Sequence, residues 1–204
     1  MLFKIIALFA MLTDHAGILL YDNAAALRII GRLAFPLFAW LLVYNYLHRT
    51  GNRIAYLRNV AGLALLSQPI YMISGIDQAA PVNVIGLLAV ALMQINVIVE
   101  RRLLWLSPLL FALSYFCEFG IGGYAAILAL YFHARQPDNT AYMLLAVAVL
   151  MTITPPVAWP VVLLFFLLVN MTDDNAIPYR PAMKRIFYAF YPVHLAALAA
   201  LAAL

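Results

Sequence analysis

Apolar runs separated by short polar joints occupy almost the whole of the 204-residue chain. That pattern leaves few folds open. The sequence is 67% hydrophobic and only 10% charged, where a soluble globule has about 45–50% apolar and about 25% charged residues. Backbone polar groups in hydrocarbon must be satisfied within the protein, so a membrane-spanning chain is a helix bundle or a closed barrel. Period-two alternation is absent, which selects helices. At about 1.5 Å per residue the chain can form roughly 300 Å of helix, enough for nine or ten short crossings and no separate soluble domain. The expected fold is all-α: a polytopic transmembrane helix bundle of about nine helices (eight to ten), forming a single integral membrane domain over 1–204. The crossings fall at about 5–21, 25–47, 56–74, 82–99, 103–117, 121–134, 141–155, 157–170 and 186–204. The fifth and sixth are short, and Pro155, Pro156 and Pro160 blur the border between the seventh and eighth.

Loop charges orient the bundle. Alternate connections, counted from the N-terminus, carry Lys4; Arg49, Arg53 and Arg58; Arg101 and Arg102; Arg135; and Arg180, Lys184 and Arg185. These are ten of the twelve bases. The other connections carry Asp22, Asp77 and Glu118 and no base. The positive-inside rule then places the N-terminus in the cytoplasm and the C-terminus outside. Topology therefore explains the net charge of +4 before nucleic acid does. Cys117 is the one cysteine, so neither a disulfide nor a thiolate metal site is expected. His15, His48, His133 and His194 lack metal-ligand spacing, and no metal is expected. Lys4 followed by an apolar run mimics a cleaved leader, with Ala24–Ala26 as its end. Asp14 and His15 interrupt that run, so it is read as a retained crossing.

An ionisable residue near the bilayer centre costs about 2.5–3.5 kcal/mol on insertion scales, so Asp14 and His15 mark a functional site by default. Lys4 and His15 are almost three helical turns apart, which puts them on one face with roughly 16 Å between them. The two bases outside the loops, Arg28 and Arg32, are spaced i, i+4 and share a face. Gly31 between them allows close helix approach, and Pro36 a bend. Depth places His15, Arg28, Arg32, Asn83, Glu118, Tyr191 and His194 in the outer half of the membrane. Polar groups there face the interior and meet one another, which predicts a buried reaction chamber. Blander roles stand beside this. Asp14 serves either the chemistry or an ion pair with Arg28 or Arg32. His15 and His194 can be hydrogen-bonded packing residues, Asn83 a helix cap and Glu118 a solvated loop carboxylate. Cys117 reads as inert packing, and His48 and His133 as interfacial.

The chain resembles the TraX family, membrane proteins of conjugative transfer systems that acetylate pilin. The resemblance runs nearly end to end, in the blocks KIIALFAMLTDHAG from Lys4, LRIIGRLAFPLFAWLL from Leu27, NVIGLLAV from Asn83, EFGIGGYAAILALYF from Glu118 and FYAFYPVHLAALAAL at the end. The stretch VNMTDDNAIPYRPAMKR departs from the family's usual YNG-type sequence before the last block. The Lys4-to-His15 spacing also looks like the basic-residue, ten-residue gap, histidine motif of acyltransferase-3-type membrane acyltransferases, whose histidine is regarded as catalytic.

The resemblance implies an acetyltransferase of the bacterial inner membrane. Its donor would be acetyl-coenzyme A and its acceptor the N-terminal amine of a pilin subunit. His15 would be the general base, or an acetyl carrier, with Asp14 and Arg32 completing the catalytic set. Arg32, with Arg28, would stabilise the oxyanion, and Asn83, Glu118, Tyr191 and His194 would position substrate. Lys4, Arg49, Arg53 and Arg58 would hold the donor's phosphates; Arg101 and Arg102 are further bases on that side. Beyond lipid and pilin no partner is implied. Two rival classes remain at this point: a small proton-coupled transporter using Asp14, His15, Glu118 and His194, and a non-enzymatic pilus assembly factor. No inverted repeat supports the first.

Overall fold

The computed structural model describes residues 2–76, 80–170 and 181–204, with side chains of the last helix described from Tyr188 onward. Asp77, Arg180 and most of the 170–184 connection lie outside the described residues, as do the side chains of Lys184 and Arg185. The helices run α1 Leu2–Leu19, α2 Ala25–Gly31, α3 Ala34–His48, α4 Arg53–Ser74, α5 Val84–Glu100, α6 Ser107–Ser114, α7 Gly120–Arg135, α8 Thr140–Ile153, α9 Trp159–Asn170 and α10 Pro181–Ala202. Two single-turn 3₁₀ helices, Leu104–Leu106 and Pro156–Ala158, precede α6 and α9. The described residues contain no strand; their extended pairing is an isolated parallel bridge between Val82 and Cys117.

Prolines punctuate this order. Pro36 has no N–H to give to the carbonyl of Arg32, four residues back, and the second apolar run breaks at Arg32–Leu33 into α2 and α3. Pro155 is extended (ψ 147°) and restarts the chain as the 3₁₀ turn before α9, which settles the border that the sequence left blurred. Pro108 occupies the first turn of α6, where a missing N–H costs nothing. Pro69 and Pro192 lie inside α4 and α10.

Among the described residues two helices are long and apolar enough to cross a membrane: Leu2–Leu19, and the continuous stretch Ala25–His48 that α2 and α3 share. The other apolar helices, including α5, α8 and Tyr188–Ala202 of α10, are 10–17 residues long in their apolar part. A perpendicular crossing takes about 20 residues.

The chain divides into two compact units. The first comprises Met1–Phe38, Pro69–Ile76 and Thr154–Leu204. In it α1 packs on α2 and on α10, and the Pro156–Ala158 turn packs on α2. The face of α1 that is buried carries Phe3, Lys4, Ala7, Ala10, Met11 and His15, at steps of mostly three and four residues, so Lys4 and His15 do share a face. At Gly31 the α2 backbone runs so close to α1 that a methyl carbon would lie 2.7 Å from the Cα of Asp14. Only glycine fits there.

The second unit comprises Ala39–Gln68 and Asp77–Ile153. Here α5 packs on α6 and α7, and α7 packs on α8. Leu87, Leu92 and Ile95 of α5 and Ile127 and Leu130 of α7 are fully buried. Burying each such side chain is worth about 1.5–3 kcal/mol in a water-facing reference; between helices in lipid the gain is tight packing instead.

Candidate functional site

The polar cluster of the first unit is centred on two imidazoles from opposite ends of the chain. His15 of α1 and His194 of α10 lie side by side, with Nδ1 of His15 2.7 Å from Nε2 of His194. They are 5% and 6% exposed. The other ring nitrogen of His194, Nδ1, is 2.6 Å from the carbonyl oxygen of Phe190, one turn earlier in α10. Tyr191 stands edge-on to both imidazoles, with ring centroids 6.0 Å from His15 and 5.8 Å from His194. The Phe190 ring lies nearly parallel to His194 at 4.7 Å. Tyr191 and His194 of α10 thus pack on a histidine of α1, and Phe190 packs on His194.

Beside this pair runs an ionic seam between α1 and α2. Arg28 Nε is 3.7 Å from Asp14 Oδ1, an ion pair too long to be a hydrogen bond. The charges of both Arg28 and Arg32 act on the Asp14 carboxylate. Arg32 is half-buried at the end of α2, and its backbone N–H donates to the carbonyl of Arg28 at 3.1 Å. His15 and Asp14 are adjacent in sequence, yet one meets α10 and the other α2, as expected of neighbours on a helix. The ion pair that was one of the two roles open for Asp14 is present, with Arg28 as its partner.

Asn83 and Glu118 belong to the second unit. Asn83 is fully buried and caps α5. Its Oδ1 accepts from the N–H of Gly86 at 3.0 Å, and its Nδ2 donates to the Ala64 carbonyl (3.0 Å) and to Oε1 of Gln68 (2.8 Å). Its backbone N–H also donates to Gln68 Oε1, at 3.0 Å. Both ends of the amide are therefore hydrogen-bonded within the protein, as a helix cap requires. The backbone N–H of Glu118 donates to the Val82 carbonyl at 2.8 Å. The sequence offered no signal for Gln68, whose side chain ties Asn83 to α4 and donates to the Pro81 carbonyl at 2.7 Å.

The bases assigned to phosphate fare unevenly. Lys4 is only 9% exposed. Its long apolar stem follows the buried face of α1. Arg58 is exposed on α4. Arg49 lies over the Tyr44 ring at 5.3 Å, and its buried Nη1 has no hydrogen-bond partner among the described residues. Arg53 lines a cleft of about 660 Å³ together with Thr50, Asn52, Asn96, Glu100 and Arg102. It sits 3.6 Å from Glu100 and over the Tyr46 ring at 5.2 Å. Of the four phosphate-binding candidates, Arg53 alone lines this cleft, and Arg102 joins it there. Among the described residues no group of three histidine, cysteine or acidic side chains could hold a metal.

The TraX protein family matches residues 1–202. The chain belongs to the TraX family. It is also 29% identical, over 96% of its own length and 92% of the relative's, to a Dichelobacter nodosus protein described as "Probable fimbrial assembly protein FimC, serogroup H1". A shorter match, 42% identical over 53 residues, covers 26% of this chain and 21% of an uncharacterized protein of Rickettsia prowazekii (strain Madrid E). No solved structure matches the chain. In this TraX-family chain the first and last sequence blocks supply His15 and His194, and the second supplies Arg28 and Arg32. These four residues lie in one unit.

Proposed function

We propose that this TraX-family protein is a multi-pass inner-membrane acetyltransferase of pilus assembly. In this reading it moves acetyl from acetyl-coenzyme A to the N-terminal amine of a pilin subunit. The polytopic arrangement of about nine crossings, with the N-terminus in the cytoplasm, belongs to the same proposal, as does kinship with acyltransferase-3-type enzymes. The observation that carries it is the buried His15–His194 pair next to the Asp14–Arg28 ion pair, with His15 in a helix long and apolar enough to cross a membrane. Such a pair is costly in a bilayer and adds nothing that an apolar contact could not supply to packing. The name of the Dichelobacter relative supports the pilus context.

The chemistry follows from the groups present. The acceptor is an α-amine, whose ordinary pKa is about 7.7–8.0, so a neighbouring base can supply the neutral nucleophile. The amine nitrogen attacks the thioester carbonyl carbon while an imidazole of His15 removes its proton. The resulting oxyanion is met by the guanidinium of Arg32 or Arg28, where one such donor is typically worth about 3–4 kcal/mol. Collapse breaks the C–S bond, and the imidazolium returns the proton to the departing sulfur. Taken by itself, the cleft of the second unit offers groups of the kind that hold phosphate, guanidiniums from Arg53 and Arg102 and neutral polar groups from Thr50 and Asn52. Glu100 tempers that charge.

His15→Ala is expected to stay inserted and folded but to leave pilin unacetylated, by intact mass. Purified wild type should transfer acetyl from acetyl-coenzyme A to a pilin N-terminal peptide, and the variant at least about 10²-fold more slowly. Full acetylation in the variant would remove His15 from the chemistry. A second reading is favoured by the word "assembly" in the relative's description: a non-enzymatic factor that holds pilin by helix packing. Pilus assembly that proceeds normally in His15→Ala, with no acetyl transfer by wild type, would select it.

A further inference from the structure

The His15–His194 contact also fixes where the protons sit. The Phe190 carbonyl can only accept, so the 2.6 Å contact requires a proton on Nδ1 of His194. A neutral imidazole carries a single N–H, which leaves Nε2 of His194 as a lone pair. The atom 2.7 Å away, Nδ1 of His15, must therefore be a donor. Neutral His15 then bears its own lone pair on Nε2, and among the described residues no hydrogen bond engages that atom.

The ring geometry supports an in-line hydrogen bond. The two imidazole planes are 3° apart and their centroids 5.0 Å apart. That separation is about the N–N distance plus the centre-to-nitrogen distance of each ring, so the rings lie edge to edge in a shared plane and not face to face. An sp² nitrogen lone pair points along that plane. The neighbours hold the arrangement: Tyr191 packs edge-on against both rings and Phe190 against His194.

We propose that His194 is a positioning residue that sets the tautomer of His15 through a Phe190 carbonyl–His194–His15 chain, and that Nε2 of His15 is the nitrogen that reacts. This rests on the acetyl-transfer reading of His15. In that reaction the amine proton moves to Nε2 as the N–C bond forms, and from Nε2 to sulfur as the C–S bond breaks. The Nδ1 proton stays in place and, while His15 is an imidazolium, its hydrogen bond to His194 Nε2 stabilises the charge. A catalytic triad uses a carboxylate for the same purpose; here a neutral imidazole does it, which spares the membrane interior a second charge.

The test uses the full-length protein in lipid with ¹⁵N-labelled histidine, the His15 signals being assigned by their loss in His15→Ala. Wild type should show His15 protonated at Nδ1 and unprotonated at Nε2. His194→Phe should lose that preference and lower kcat at least about 10²-fold with KM for acetyl-coenzyme A unchanged. His194→Gln, whose Oε1 can replace the lost acceptor, should restore the tautomer and most of the rate. A wild-type His15 protonated at Nε2 overturns the proposal even if acetyl transfer is intact, and that measurement decides without any variant having to fold. Unchanged tautomer and rate in His194→Phe overturn it too. The expected tautomer in a protein that transfers no acetyl overturns the catalytic reading instead, and with it the role of Nε2.

Discussion

In the second unit Asn83 commits both ends of its amide and its backbone N–H to Gly86, Ala64 and Gln68. In the first unit His15 makes one hydrogen bond, to His194, and keeps its other nitrogen back. Both side chains are buried and both join distant parts of the chain. A buried polar group without partners costs about 1–3 kcal/mol, so the closed network around Asn83 is what stability demands. In the proposed acetyl transfer the open end of His15 is what the chemistry needs, because a base whose lone pairs are all engaged cannot take a proton. Counting hydrogen-bonding groups separates the two roles where burial and residue type do not.

Substitutions can break the contrast, and their expected effects differ in kind. The largest is on rate: His15→Ala removes acetyl transfer while the thermal unfolding midpoint in detergent changes little. Loss of the fold with the activity would make His15 another Asn83. Asn83→Ala comes next and should do the reverse. It removes a cap worth about 1 kcal/mol and strands Gln68 and the Ala64 carbonyl, for a total of about 2–4 kcal/mol. The variant should unfold earlier, yet acetyl transfer per folded molecule should hold. A rate loss in a fully folded Asn83→Ala would return that residue to the substrate site. The smallest effect belongs to Asp14→Asn. Its ion pair with Arg28 is long and partly exposed, so the stability change should be about 1 kcal/mol or less, with activity retained. A drop in rate near that of His15→Ala would give Asp14 back a place in the chemistry.

Much of this was legible in the sequence because it depends on spacing and punctuation. Helix periodicity put Lys4 and His15 on one face, and α1 buries both. Prolines at 36 and 155 marked breaks where missing N–H groups require them. The grouping of His15 with His194 followed from depth, since polar groups on crossing helices at similar level seek one another. Partner choice was not legible. Periodicity tells which face of a helix is apolar but not which helix covers it, so nothing showed that Asn83 would be claimed by Gln68 and the Ala64 carbonyl. For Asp14 charge narrowed the partner to Arg28 or Arg32, and the packing of α1 on α2 brings Arg28 to it. The phosphate set was drawn from loop charge alone, so it held Arg53 and Arg102, which share the cleft, together with bases that do not line it. Thr50, Asn52 and Asn96, which carry no charge, were invisible to it.

The pairing of Val82 with Cys117 has a practical consequence. The N–H of Val82 donates to the Phe116 carbonyl at 3.1 Å and the N–H of Glu118 to the Val82 carbonyl at 2.8 Å, so two connections far apart in sequence are buttoned together just ahead of α5 and α7. A reporter tag placed in either would have to undo both. The exposed turn at 136–139 makes its hydrogen bonds to residues close by in sequence, such as that from the Asn139 N–H to the Gln136 carbonyl and that from the Ala141 N–H to Asn139 Oδ1, and is the better insertion point. Tagged protein should accumulate to wild-type levels with the insert at 136–139 and poorly with it at 81–83 or 116–118. Equal levels from all three would mean the button is ornamental. Mapping which side of the membrane each connection faces should therefore begin at that turn.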